Sequence, residues 1–159
     1  MNRFSAVILA ALPALLAMPS SYAQERGAQS PEERAESAVE QRKAVFQVQL
    51  FSMRPVRGML RGSPFDAGVA QKTAQRLHMT AGLIPEVFAL DTRAFKVQTK
   101  ARENIWTEKA EFDARVKELL DAATSLETAA KAGNKDAALK AVGAVGKSCD
   151  DCHDKFRSK

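Results

Sequence analysis

Cysteine and histidine are scarce in this chain, with two of each in 159 residues. Two thiols cannot build a disulfide framework, and they fall short of the four ligands a structural zinc site normally takes. Alternation of apolar and polar residues never persists beyond a few positions, so no sheet domain is expected. Long apolar runs are also lacking. After Ala17 no segment is apolar enough to cross a bilayer, which takes about 20 residues. Nor does charge of one sign dominate: 24 Lys and Arg stand against 19 Asp and Glu, a formal net charge of +5. The basic residues are scattered among acids, which argues against a nucleic-acid partner and for solvated faces with a mild preference for acidic surfaces.

The one pronounced apolar run lies at the front. Arg3 precedes Ala6 to Ala17, a stretch without charge, and Ser21-Tyr22-Ala23 places small residues where a leader peptidase cuts. Residues 1–23 are therefore expected to be a cleaved signal peptide, and residues 24–159 to form one exported domain with no membrane span.

The remainder reads as helix. Ser30-Pro31-Glu32-Glu33 combines a capping box with proline at the first helical position. Ala35, Ala38, Val39, Val45, Phe46, Met53, Val56 and Leu60 then recur at helical spacing. Pro55 is expected to kink or interrupt this helix, and Gly62-Ser63-Pro64 to end it. A second helix is expected from Asp66, with Ala70, Ala74, Leu77, Ala81 and Ile84 inward, until Pro85 stops it. Residues 86–104 have weak periodicity and read as a crossover with at most short helical turns. A third helix follows Ile105-Trp106-Thr107, with Thr107 as candidate N-cap and a stripe through Phe112, Val116, Leu119, Leu120, Ala123, Leu126 and Ala130. Gly133-Asn134 reads as a stop and restart. The last helix carries Ala138, Ala141, Val142, Val145, Cys149, Cys152, His153 and Phe156 on one side. Four amphipathic helices and an interior site predict an all-α four-helix bundle.

Both cysteines sit in Cys149-Asp150-Asp151-Cys152-His153, and C-x-x-C-H is the attachment motif of a c-type haem. Positions i, i+3 and i+4 share one helix face, so two sulfurs and an imidazole can address the same porphyrin. A redox dithiol, a disulfide and half of a zinc site are the alternatives. The expected cofactor is one haem c per chain, bound covalently through Cys149 and Cys152, with His153 offering its imidazole to the iron. Attachment of such a haem requires export and reduced thiols, which agrees with the leader and makes the periplasm the expected location. Gly143 and Gly146, upstream on the same helix, could let a flat ring or a neighbouring helix approach closely.

Arg42 falls on the buried stripe of the first helix. An unpaired buried guanidinium is costly, so an anionic partner is expected, and a haem propionate is the candidate. Snorkelling to the surface is the alternative.

Taken together, these residues resemble the cytochrome c′ family of class II c-type cytochromes. The likeness runs from about residue 30 onward: Arg42-Lys43, Gly62 with Pro64-Phe65-Asp66, Ile84-Pro85, Ile105-Trp106, and nearly all of Gly143 to Arg157. Lys43 stands where many members have glutamine, and residues 86–104 depart from the family pattern. The resemblance implies an antiparallel bundle with haem in its core, His153 as proximal ligand, and a homodimer formed through the first two helices. It also implies that the residue one turn after Arg42 faces the iron from the distal side. That residue is Phe46, which cannot ligate iron, so a five-coordinate, high-spin centre is expected. Met53, Met59 and His78 are the other side chains weighed as iron ligands, with core filling or surface exposure as their ordinary roles. Arg157, one turn beyond His153, would shape the proximal pocket, and Lys43 is a propionate contact by position only. An open apolar distal face favours nitric oxide and carbon monoxide. Electron transfer between periplasmic redox proteins is the alternative function, and enzymatic peroxide chemistry is not expected because the distal residues offer no acid–base group.

Overall fold

The computed structural model describes residues 29–159. The signal-peptide assignment, residues 1–23, lies outside them. Four long helices and two short ones follow in order: α1 Pro31–Leu60, α2 Ala67–Gly82, α3 Ile84–Val87, α4 Asn104–Thr107, α5 Lys109–Lys131 and α6 Lys135–Phe156. Among the described residues there is no strand, only one isolated bridge between Ala101 and Arg157.

Local chemistry sets most of the boundaries. The Ser30 side chain accepts from the Glu33 amide at 3.1 Å, and the Glu33 carboxylate accepts from the Ser30 amide at 2.7 Å. Asp66 Oδ1 takes the Val69 amide at 2.9 Å, and Asn134 Oδ1 takes the Ala137 amide at 3.0 Å. The turns after α1 and α5 need left-handed backbone, and glycine supplies it at Gly62 (φ 101°) and Gly133 (φ 64°).

Three expectations need correction. Pro55 does not interrupt α1. Pro55 and Phe51 are both exposed, so water can take the Phe51 carbonyl that proline leaves without a donor. Thr107 is not the N-cap of α5. It ends α4, and the break falls at Glu108, whose backbone (φ −119°, ψ 44°) leaves the helical region and whose side chain makes no cap bond. The cause is tertiary: Ile105 is buried, Trp106 Nε1 donates to the Phe88 carbonyl, and the Glu108 carboxylate pairs with Lys155 of α6. No neighbouring helix approaches Gly143 or Gly146 closely, since a Cβ built at either would meet nothing within 4 Å.

The long helices close a ring in which α1 touches α2 and α6, and α5 touches α2 and α6. Alanines on the facing surfaces (Ala74 and Ala81 of α2, Ala123 and Ala130 of α5, Ala138 and Ala141 of α6) let α5 pack tightly on both neighbours. The α1–α6 seam is looser and carries the large side chains Phe46 and His153. The site lies in that seam.

Candidate functional site

α6 brings its last turns to the seam with Cys149, Cys152 and His153 half-buried, the two cysteines packed against the core. Neither cysteine forms a disulfide. Burial raises the pKa of both sulfurs, that of Cys152 to about 11, helped by Cys149 beside it. They stay thiols at neutral pH. Burial, and then the charge of Arg157, lowers the pKa of His153, so its imidazole stays neutral and keeps a lone pair for a metal. Among the described residues no three His, Cys, Asp or Glu side chains gather around one point as a complete ion site requires.

Across the seam, α1 presents Phe46. Its ring meets the His153 ring edge-on at 6.2 Å between centroids, and it packs on Phe88 at the same distance. Two cavities flank this contact. The larger, about 820 Å³, is lined by Phe46, Phe88, Phe112, Phe156, Cys152 and His153, with Arg42, Lys43, Lys100 and Arg157 contributing cations. The smaller, about 110 Å³, is lined by Phe46, Gln49, Met53, Cys149, Cys152 and His153 among others.

Arg42 is almost fully buried, at 3% exposure, as its place on the stripe requires. The anionic partner expected for it is not what satisfies it. Nε donates to the Val87 carbonyl at 2.9 Å, Nη1 to Thr92 Oγ1 at 3.0 Å, and Nη2 to the Leu90 carbonyl at 2.7 Å. The guanidinium also lies over Phe88 at 4.6 Å and Trp106 at 5.2 Å. Burial lowers its pKa and Asp91 raises it. The crossover thus wraps the arginine, which also lines the larger cavity.

Lys43 is exposed and paired with Glu40 at 2.7 Å, on the cavity rim. Arg157 is exposed beside the same cavity, and its amide caps α6 by donating to the His153 carbonyl at 3.0 Å. Met53 is buried and borders the smaller cavity, while Met59 belongs to the core. His78 is exposed and lines neither cavity. Sequence reasoning missed the strap Val97–Ala101, which lines the larger cavity and is tied to the end of α6: Arg102 N donates to the Phe156 carbonyl and Ser158 N to the Lys100 carbonyl. It also missed Gln49, visible in the sequence as a polar residue on an apolar stripe.

A haem suits this donor set. Two thiols and a neutral imidazole share one face of α6, aromatic walls surround a cavity of ligand size, and cations at its edge match two carboxylates. Cys152 lines both cavities and Cys149 only the smaller, so a flat ring tethered at both sulfurs would draw on both.

Comparison with known proteins agrees. Residues 37–157 match the family described as Cytochrome C′. The cytochrome c′ of Cereibacter sphaeroides is 38% identical over 128 residues, covering 79% of this chain and 85% of the relative. The crystal structure of cytochrome c′ from Rubrivivax gelatinosus superposes with a TM-score of 0.71 at 29% identity, covering 82% of this chain and all of that one. A nitric oxide complex of a variant cytochrome c′ from Alcaligenes xylosoxidans also gives 0.71, at 28% identity over 79% of this chain and 97% of its own. The chain belongs to the cytochrome c′ family, whose cofactor is covalently bound haem c.

Proposed function

We propose that this protein is a periplasmic carrier of five-coordinate haem that binds nitric oxide, and also carbon monoxide, and buffers the cell against nitric oxide. The observation that carries this reading is the phenyl ring of Phe46 opposite His153. When bound, the haem supplies an iron able to take a small diatomic at its sixth position. The chain's residues do the rest. Cys149 and Cys152 would hold the macrocycle by thioether bonds, and His153 would be the only protein ligand to iron. Phe46 would set an aromatic wall without a donor against the haem opposite His153, excluding water and disfavouring anions. Arg42, through the N–H groups it does not use on the crossover, and Lys43 at the rim would meet the propionates. Arg157 stands one turn beyond His153 and its charge bears on that imidazole. Among the described residues no side chain on the Phe46 side is placed to move protons for peroxide cleavage, so the reading is a binding protein and not an enzyme. The solved nitric oxide complex of a relative supports the choice of ligand.

Absorption spectra of the ferric and ferrous holoprotein test this directly. High-spin bands are expected in both states, with a new spectrum on adding nitric oxide or carbon monoxide. Six-coordinate low-spin bands in both states would turn the reading to electron transfer between periplasmic redox proteins. Phe46→Met places a thioether where the ring stood and is expected to shift the ferrous spectrum toward low spin. An unchanged spectrum would show that residue 46 does not face the iron.

Pairing of two copies has its own support. Val48 and Phe51 of α1 and Met79 of α2 are exposed apolar residues, and Arg76 of α2 lies 5.9 Å from the Phe51 ring, so both helices contribute to one surface. A second copy would cover it. In sedimentation the wild-type holoprotein is expected as a dimer, and Phe51→Glu as predominantly monomer. A monomeric wild type would end the dimer reading.

A further inference from the structure

Gln49 is out of place by the rules that govern the rest of α1. It lies three residues after Phe46 and seven after Arg42, on the stripe that faces the seam, and only 7% of it is exposed. Its Nε2 is buried with no hydrogen-bond partner among the described residues. A buried donor without an acceptor is costly, and natural sequences seldom keep one without a use for it. Leucine or methionine would serve mere packing at lower cost.

The surroundings narrow the use. Gln49 lines the smaller cavity together with Phe46, Cys149, Cys152 and His153. None of the other polar groups there accepts from it. Arg57 and Arg115 are cations that only donate, and the Ser148 hydroxyl donates to the Val145 carbonyl and makes no bond to Gln49. The amide is thus free to meet an acceptor that arrives with what the site binds. Phe46 and Gln49 are three residues apart on one face of α1 and line the same cavity, which sets the amide beside the ring.

We infer that Gln49 is the distal hydrogen-bond donor to the iron-bound diatomic ligand, a positioning residue that selects polarisable ligands. This rests on the proposed function, since it needs a ligand on the Phe46 side of the iron. A ligand oxygen or nitrogen that gains electron density from ferrous iron becomes a better acceptor, so the amide favours the bound form over the free gas.

The test uses ferrous holoprotein with carbon monoxide as the probe. In the wild type, the C–O stretch in resonance Raman or infrared spectra is expected at lower wavenumber than in Gln49→Leu, because donation to the ligand oxygen strengthens back-bonding. Carbon monoxide should leave the leucine variant about fivefold faster, the factor one net hydrogen bond supplies. Exchange into heavy water should shift the wild-type stretch and not that of the variant, a readout that holds for the wild type even if the variant folds poorly. Thermal melting of Gln49→Leu should equal or exceed wild type, since an unpartnered buried polar group is lost. If carbon monoxide binds and neither the stretch nor the dissociation rate differs, and the wild-type stretch is blind to heavy water, the inference falls while the proposed function stands. If no carbon monoxide binds, both fall.

Discussion

Replacing Cys149 and Cys152 together with serine is expected to abolish covalent haem: no haem-mass adduct on the intact chain, and no haem-linked peroxidase stain after denaturing electrophoresis. A hydroxyl is too poor a nucleophile to add across a porphyrin vinyl group, and the chain holds no other cysteine to substitute. His153 alone would then hold the iron by a coordinate bond that acid or denaturant breaks. Each single serine variant should keep one thioether, and therefore the adduct and the stain. Loss of both tethers also removes the high effective concentration that keeps the ring at the seam, so the large cavity, about 820 Å³ with aromatic walls, would lose its filling whenever the ring dissociates. The double variant should melt well below wild type and yield its pigment to acidified organic solvent. Wild-type protein from an exporting host that lacks the adduct would remove the ground for every haem assignment made above.

The parts of the structure legible from sequence were those whose causes are local. Ser30 with Glu33, Asp66 and Asn134 cap helices through atoms three residues away, and the 3.6-residue period of α6 puts Cys149, Cys152 and His153 on its inner side. Arg42 shows the limit. Its burial could be read from its place on the stripe, but its partners Val87, Leu90 and Thr92 sit 45 to 50 residues on, in a crossover without periodicity. An anion was the natural guess, and backbone carbonyls took its place. Thr107 failed for a related reason: nothing local stops a helix there, and the break at Glu108 follows from anchoring Trp106 on Phe88 and Lys155 on two glutamates of the α4–α5 junction. Gln49 was readable as an anomaly of pattern, but only the fold reveals that its amide is without a partner.

Arg42→Met should therefore act first on the crossover and only through it on the haem site. Methionine keeps the length and the apolar stem but gives no donor to the Val87 and Leu90 carbonyls or to Thr92, which is 3% exposed. Leaving buried acceptors unpaired costs about 1–3 kcal/mol each, offset in part where a loosened carbonyl reaches water. The expected net loss is about 3 kcal/mol, a fall of roughly 10 °C in melting temperature for a domain of this size. Arg42→Lys retains the charge without the planar fork and can satisfy one acceptor at a time, so it should fall between the two. The damage should be local before it is global. Amide exchange should quicken over residues 87–101, and the strap Val97–Ala101 at the cavity wall should loosen with it, while the α2–α5 interface stays protected. A variant that served only to neutralise a propionate would show the reverse: near-normal melting and exchange in the crossover, with the change confined to the haem spectrum. Melting of Arg42→Met within a degree or so of wild type would mean that the three hydrogen bonds carry none of the stability assigned to them here.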